Sequence, residues 1–246
     1  MNDDDHELAA RLATEAGELL LRVRVEGLEG KALKDEGDRR ANELLLARLA
    51  EHRPDDAVLS EESADSPARL TTDRVWIIDP LDGTREFSEG NRTDWAVHVA
   101  LVERGRLAAG AVALPARGTT LSTTAPPATP GPGGGPIRLL VSRTRPSEYA
   151  HALAAALDAE LMPMGSAGAK AMAVVTGTAD VYAHSGGQYE WDSAAPVAVA
   201  AASGLHTSRL DGSPLRYNQP NPWLPDLLVC RADLADDVLA ALATIS

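Results

Sequence analysis

Apolar residues near the start of the chain recur with the period of an α-helix. Between residues 7 and 25 they fall on one helical face, as Leu8, Leu12, Ala16, Leu19, Leu20 and Val23. Residues 38–51 repeat this pattern, with Asp38 at its start. Two amphipathic helices are therefore predicted here, each with one face toward a hydrophobic core.

The apolar runs that follow are shorter and are typical of strands. Strands are predicted at residues 57–60 and 75–78, followed by a meander over 95–102, 107–114 and 119–123. Beyond a break, strand and helix patterns alternate. We expect strands at 137–141, 179–184 and 226–230, and helices at 146–157, 166–175, 192–203 and 234–244. His98 and His184 fall in strand patterns and are expected to be packed side chains.

The break itself is rich in proline and glycine. Residues 125–136 read APPATPGPGGGP, without the Lys-Ser/Thr pair and following helix of a phosphate-binding loop. We interpret it as an irregular linker between an N-terminal α+β unit, residues 1–124, and a C-terminal α/β unit, residues 137–246. The whole is expected to be a layered α/β (α+β) protein.

Composition narrows the range of functions. The chain has 246 residues, of which 44% are hydrophobic, so a sizeable core can be buried. A net charge of −13 argues against binding a nucleic acid polymer. No apolar run approaches membrane-spanning length and the start is acidic, so we expect a soluble, cytoplasmic protein with no membrane partner. Cys230 is the single cysteine and is expected to be a buried thiol without a disulfide.

Two carboxylates close the strand predicted at 75–78, in the stretch WIIDPLDGTREF. Asp79 and Asp82 would point to opposite faces of a continuing strand, so a turn at Pro80 is needed to bring them together. The following Gly83-Thr84 can open a helix whose free N–H groups face an anion. Paired carboxylates beside an anion site favour divalent cations between them, and oxygen ligands suit Mg²⁺.

Simpler interpretations remain open for each of these acids. Asp-Pro and Asp-Gly are common turn dipeptides, so Asp79 and Asp82 alone are also compatible with a solvated turn. A phospho-aspartate mechanism usually has its two acids two residues apart, whereas three separate them here. Glu61-Glu62 could be a solvated loop pair, and Asp38 and Asp192 could cap helices.

Taken together, these motifs resemble the inositol monophosphatase superfamily. Asp79-Pro-Leu-Asp-Gly-Thr-Arg-Glu-Phe87 matches its signature Asp-Pro-x-Asp-Gly-Thr-x-x-Phe, and Trp191-Asp-Ser-Ala-Ala195 matches Trp-Asp-x-Ala-Ala/Gly. Residues 165–172, GSAGAKAM, look like the loop and helix that precede the second signature. Within the superfamily the chain looks most like the actinobacterial CysQ branch, which acts on 3′-phosphoadenosine 5′-phosphate.

The resemblance implies an αβαβα five-layer sandwich, commonly a homodimer, and lithium-sensitive, Mg²⁺-dependent hydrolysis of phosphomonoesters. By position, Glu61, Asp79 and the Leu81 carbonyl would hold one metal, and Asp79, Asp82 and Asp192 a second. A third, looser metal would depend on Glu61. Gly83 and Thr84 would bind the phosphate, and Asp38 would pair with the Thr84 hydroxyl and take a proton from water.

The substrate side of the site is less closely matched. Lys170 is our candidate contact for a second phosphate, the alternative being a solvated helix lysine. Gly165, Ser166 and the loop SGGQYE at residues 185–190 are further substrate-side candidates. Asp38 lies in Lys34-Asp-Glu-Gly-Asp38, a shorter match than its relatives show, and Asp35 is the alternative there. Hydrolysis of the 3′-phosphate of an adenosine bisphosphate in sulfur assimilation is the expected activity. A broader inositol 1-phosphate or fructose 1,6-bisphosphate phosphatase and a non-catalytic metal-binding homologue remain as alternatives.

Overall fold

The computed structural model describes residues 4–144 and 146–245. The first half contains helices α1 (Asp5–Val23), α2 (Gly30–His52) and α3 (Thr84–Ser88), with strands β1 (Ala57–Ser60), β2 (Arg74–Asp82), β3 (Ala96–Glu103), β4 (Arg106–Leu114) and β5 (Thr119–Ser122). The second half contains strands β6 (Arg138–Ser142), β7 (Glu160–Met164), β8 (Val181–Tyr189), β9 (His206–Ser208) and β10 (Trp223–Cys230). Its helices are α4 (Glu148–Leu157), α5 (Ala167–Val175), α6 (Glu190–Ala202) and α7 (Ala235–Leu242).

The strands form two five-stranded sheets within the described residues. The first has the order β1-β2-β3-β4-β5 and is antiparallel except for the parallel pair β1-β2. The second has the order β7-β6-β8-β10-β9, in which β6 runs parallel to both β7 and β8. Strand β10 is antiparallel to its neighbours β8 and β9.

Helices cover both faces of each sheet and produce five layers. Helices α1 and α2 pack on the outer face of the first sheet, and α4 and α7 on the outer face of the second. Helices α5 and α6 lie between the two sheets. The αβαβα sandwich implied by the family resemblance is therefore confirmed.

Burial on both faces explains the near-continuous apolar strands of the first sheet. Trp76 and Ile78 of β2 contribute to the core under α1 and α2, whereas Val75 and Ile77 contribute to the core shared with α5 and α6. Small residues allow close contact in this central layer. A Cβ on Gly110 of β4 would lie 2.6 Å from the Cβ of Ala198 of α6, so a larger residue at Gly110 would push α6 away from the sheet.

Several predicted boundaries were wrong. Helix α2 begins at Gly30, so Asp38 lies inside the helix and not at its start. Only Leu33 and Gly37 are buried in its first two turns, which therefore carry little apolar signal. Exposed pairs such as Lys31–Asp35 support these turns instead. Strands β7 and β9 were not predicted, because their sequences, ELMPM and HTS, lack an alternating pattern and depend on sheet pairing.

The segment between the two sheets is irregular. Residues 125–136 have no helix or strand, and the Thr129 hydroxyl in this segment donates to the Ser203 carbonyl at 2.7 Å. Cys230 is fully buried, and burial raises its pKa to about 12. Within the described residues, no helix combines the length and apolar content needed to cross a membrane.

Candidate metal centre and active site

A β-bulge brings Asp79 and Asp82 together. Asp79 pairs with His98 and Asp82 with Ala96, so the segment from Asp79 to Asp82 has one residue more than the facing part of β3. Strand β2 thus continues through Pro80, and the predicted end of the strand at Asp79 was wrong. This extra residue, and not the turn expected at Pro80, brings the carboxylates of Asp79 and Asp82 together. The Leu81 N–H donates to Asp79 Oδ1 at 3.0 Å and fixes the bulge.

Asp192 completes a cluster of three acids. It is the third residue of α6, and its Oδ2 accepts the Tyr189 backbone N–H at 2.6 Å, so it caps the helix from inside the first turn. Carboxylate oxygens of Asp79, Asp82 and Asp192 lie within 4.8 Å of one another. The two family signatures, more than a hundred residues apart in the chain, therefore meet at one point.

Asp82 is held by an array of donors from the start of α5. The Ser166 hydroxyl and the Gly168 N–H, the latter at 2.6 Å, reach its Oδ2, and the Ala167 N–H reaches Oδ1 at 3.1 Å. His98 Nε2 lies 3.3 Å from the same Oδ2. Burial alone would raise the pKa of Asp82, but His98 and the hydrogen bonds outweigh it and lower the pKa to about 2.

Ser166 has the conformation that this array requires. Its φ of +54° is unusual for a residue with a side chain, and its hydroxyl also accepts the Ala169 N–H at 2.9 Å. The preceding Gly165 has no room for a side chain, because a Cβ there would lie 2.3 Å from the Glu86 side chain. Asp94, which the sequence gave no reason to single out, accepts the Gly165 N–H at 2.6 Å.

The other acids of the site repel one another. Burial, followed by the charges of Glu61, Asp82 and Asp192, raises the pKa of Asp79 well above its usual range. Burial and the charge of Asp82 raise the pKa of Asp192 to about 6. Glu61 is exposed as a residue, but its carboxyl group approaches Asp79, and desolvation with the charge of Asp192 raises its pKa to about 7.

This donor set fits a divalent cation. Several carboxylates crowded at a buried point cost free energy unless positive charge or protons compensate them. The oxygens are hard ligands of the kind that Mg²⁺ prefers, and no thiol or free imidazole joins the described cluster. The cluster therefore has the chemistry needed to hold a metal ion.

Asp38 and Thr84 are not hydrogen-bonded to each other. The Thr84 hydroxyl donates to the Leu81 carbonyl at 3.2 Å. The pairing between Asp38 and Thr84 that the resemblance implied is thus absent from this structure. Asp38 is half-buried within α2, and burial followed by the charge of Glu62 raises its pKa to about 7.

A cavity of about 260 Å³ lies beside the start of α5, where Ser166 binds Asp82, and brings five predicted substrate-side residues together. Its walls include Gly83, Thr84, Gly165, Ser166 and Lys170. The interpretation of Lys170 as a solvated lysine was wrong, because the residue is only 7% exposed.

Lys170 is held in place by two contacts. Its Nζ donates to the Ser166 carbonyl at 2.7 Å and lies 5.1 Å from the centre of the Tyr182 ring. Burial lowers the pKa of Lys170, against the opposing effect of nearby carboxylates. Arg143 also lines the cavity and is paired with the buried Glu86 at 2.7 Å.

Comparison with known proteins agrees with the fold. The model of the inositol monophosphatase family matches residues 2–126 and 139–244. The chain is 55% identical over 258 residues to the 3′-phosphoadenosine 5′-phosphate phosphatase of Mycobacterium leprae, covering 98% of this chain and 94% of that protein. It is 32% identical over 198 residues to the 3′(2′),5′-bisphosphate nucleotidase CysQ of Escherichia coli K12, covering 75% and 79%.

Solved structures give the same result. CysQ from Bacteroides thetaiotaomicron has a TM-score of 0.80 and 26% identity, covering 93% of this chain and 97% of that one. An inositol monophosphatase from Anabaena has a TM-score of 0.79 at 20% identity, covering 98% and 96%, which is evidence for the fold alone. The chain belongs to the inositol monophosphatase family.

Proposed function

We propose that this protein is a metal-dependent phosphatase that hydrolyses the 3′-phosphate of 3′-phosphoadenosine 5′-phosphate, giving AMP and phosphate in sulfur assimilation. The meeting of Asp79, Asp82 and Asp192 at one buried point carries the proposal, because it supplies the charge that cations at a phosphate require. The 55% identity to a phosphatase of that specificity supports the choice of substrate.

The proposed cofactor is Mg²⁺, with two ions and a third, looser one per site. Glu61, Asp79 and the Leu81 carbonyl would hold the first, Asp79, Asp82 and Asp192 the second, and Glu61 the third. When bound, the ions supply Lewis-acid stabilisation of the phosphoryl and leaving-group oxygens and make water more acidic.

The remaining steps belong to the chain's own residues. The Gly83 and Thr84 N–H groups, at the turn after β2, would orient the phosphate against the acids. Asp38, whose pKa is raised to about 7, would accept the proton of the attacking water. It would act without the direct bond to Thr84 that the resemblance implied.

The second phosphate of the substrate would enter the cavity beside Gly83 and Thr84. Arg85, Arg143 and Lys170 line it in a chain whose net charge is −13, and Arg143 is already paired with Glu86 and Glu89. Lys170 would be the inner contact, because it is buried, and Arg85, which is exposed, would be the outer one.

A broader sugar phosphatase is the second candidate. The acids and the Gly83-Thr84 turn would contact only the phosphoryl group of a substrate, so inositol 1-phosphate and fructose 1,6-bisphosphate could bind at the same position. We also propose, from the family resemblance, a cytoplasmic homodimer that lithium inhibits. A non-catalytic metal-binding homologue is the third candidate.

Phosphate release with and without Mg²⁺ tests these alternatives. The purified protein would be given the adenosine bisphosphate, inositol 1-phosphate and fructose 1,6-bisphosphate at matched concentrations. We expect the highest kcat/KM with the bisphosphate, no turnover after metal removal, and none in Asp79→Asn or Asp82→Asn variants that remain folded by circular dichroism. A higher kcat/KM for inositol 1-phosphate would favour the broader phosphatase. If phosphate were released from none of the three compounds, the non-catalytic metal-binding homologue would be favoured.

A further inference from the structure

Two exposed aromatic side chains lie opposite each other at the end of the second sheet. Tyr189 of β8 is 45% exposed and Trp223 of β10 is 48% exposed, and the two residues are direct partners in the antiparallel pairing. Direct partners of this kind extend from the same face of a sheet. Aromatic residues make up only 4% of the chain, so two exposed rings on neighbouring strands need an explanation.

The Tyr189 ring is fixed by stacking on Trp191. The two ring centres are 4.7 Å apart and their planes differ by 9°. Trp191 in turn packs against the central core between the sheets. The tyrosine ring is therefore supported on one face by a ring anchored in the core while nearly half of the residue faces solvent.

The residue that carries this ring is joined to the acid cluster through its backbone. The Tyr189 backbone N–H donates to Asp192 Oδ2 at 2.6 Å, at the residue that precedes α6. A phosphate ester bound at the acids would therefore have Tyr189 among the neighbouring residues.

The preceding residue also has unused hydrogen-bonding capacity. Gln188 is only 8% exposed, and neither the oxygen nor the nitrogen of its amide has a partner among the described residues. Buried amides are normally paired. Gln188 directly precedes Tyr189 in β8, so its side chain lies on the opposite, buried face of the sheet and is not part of the aromatic platform.

We propose that Tyr189 is the stacking platform for the purine base of a nucleotide substrate, with Trp223 at its flank. This inference rests on the proposed function and names the group that would distinguish a nucleotide from a sugar phosphate. Stacking of a base on an aromatic ring is sequence-tolerant and needs no charge, so it adds to phosphate binding without competing with it. Loss of one such stacking partner weakens binding roughly 5- to 150-fold.

Calorimetric titration with AMP and with ribose 5-phosphate, in the presence of Mg²⁺, tests the platform. These ligands share the ribose and phosphate and differ in the base. We expect Tyr189→Ala to weaken AMP binding at least fivefold with a smaller change for ribose 5-phosphate, and Tyr189→Phe to bind AMP within about twofold of the wild type. Tyr149→Ala, on the outer helix α4, is the matched control and should leave the AMP affinity unchanged.

Three outcomes would overturn the inference. They are equal affinities of the wild-type protein for AMP and ribose 5-phosphate, equal losses for both ligands in Tyr189→Ala, and unchanged AMP binding in Tyr189→Ala. If the unchanged binding were accompanied by a smaller sedimenting mass, the exposed rings would be assigned to contact with a second copy of the chain. Because binding is read without turnover, the result is separate from the phosphate-release assay that tests the proposed function.

Discussion

His98 Nε2 and Asp82 Oδ2 lie 3.3 Å apart, and both side chains are buried at the centre of the protein. The other ring nitrogen, Nδ1, is 2.9 Å from the Trp191 carbonyl. Burial alone would lower the pKa of His98, but the Asp82 carboxylate outweighs it and raises the pKa. The histidine therefore links the bulge of β2 to the start of α6, and it does so as a packed residue, as its strand position predicted.

Gly168 makes the space for this histidine, so Gly168→Ala should disrupt the site. A Cβ at Gly168 would lie 2.0 Å from His98 Nε2, which no small adjustment of a buried ring can relieve. We expect a stability loss of about 1–3 kcal/mol, measured by urea unfolding, and at least a tenfold fall in phosphate release. Gly131→Ala, where a Cβ meets open space, is the control and should change neither quantity. Wild-type turnover in Gly168→Ala would show that the position of His98 is unimportant.

The stability of the metal-free protein should fall as pH rises. The pKa values of Asp192 and Glu61 are about 6 and about 7 in the folded state, above the usual values of 3.8 and 4.5. At pH values between the usual and the raised pKa, the folded protein holds protons that the unfolded chain has released. Unfolding therefore releases protons, and a higher pH favours unfolding. Glu61 contributes less than its pKa suggests, because its exposed side chain is screened by solvent.

Unfolding in urea with a chelator at pH 5 and pH 8 measures this effect. We expect a loss on the order of 2 kcal/mol at the higher pH. Mg²⁺ added at pH 8 should restore the lost stability, since bound cations compensate the negative charge of the acids. Asp79→Asn should reduce the pH dependence of the metal-free protein. A metal-free protein that is more stable at pH 8 than at pH 5 would contradict the charge repulsion inferred here.

Asp38→Asn should lower kcat far more than it changes KM. A general base contributes roughly 10²- to 10⁴-fold, and an amide cannot accept the proton. Because the pKa of Asp38 is raised to about 7, wild-type kcat should increase as pH rises through that value and the carboxylate ionises. Asp35→Asn changes an exposed acid of the same helix and should retain activity. The reverse ranking of the two variants would assign the base to Asp35.

Arg69→Met should destabilise the protein and weaken Mg²⁺ binding. Arg69 is 1% exposed and bonds to Asp65 at 2.7 Å and to Asn218 at 2.6 Å, while Glu190 at the start of α6 accepts the Asn218 N–H at 2.6 Å. This network connects the loop after Glu61 with the helix that carries Asp192.

We expect a loss of about 2–4 kcal/mol in urea unfolding of Arg69→Met, because buried partners are left unpaired. Mg²⁺ titration monitored by calorimetry should show weaker binding. Arg104→Met removes a charge whose side chain is 77% exposed and is the control. Equal stability of the two variants would exclude a structural role for the network.

The apolar pattern predicted most of the helices and strands, the family resemblance implied the five layers, and the motifs located the acids. None of them predicted the way in which the acids meet. Apolar periodicity located α1, the strands of the first sheet and α6, because burial on a fixed face leaves a regular pattern. The convergence of Asp79 and Asp82 depends on a bulge against β3, and pairing register is a tertiary property that a strand's own sequence does not contain. The predicted start of helix α2 was too late. The first turns of this helix are stabilised by exposed charges, so they carry no regular apolar pattern.

Within the site, too, some residues could be predicted from the sequence and others could not. The signatures identified Asp192 and Gly83, whereas Asp94, Glu190 and Arg69 act through contacts with residues far away in the chain. The sequence contains no local signal for such partners, because an arginine in a loop is normally solvated. Lys170 is the intermediate case: its position in the motif suggested a role, and only the packing of α5 between the sheets shows that it is buried.

The chain passes from the first sheet to the second at residues 125–136, and this connection has a practical consequence. Residues 125–136 connect the sheets without helix or strand, yet α5 and α6 from the second half cover the inner face of the first sheet. A chain divided at Gly133 would therefore yield two fragments with complementary apolar faces, and each would require the other to be soluble. Asp79 and Asp82 would belong to one fragment and Asp192 to the other, so enzymatic activity would return only on reassembly. The fold thus lends itself to a split enzyme whose complementation reports the meeting of two tethered proteins.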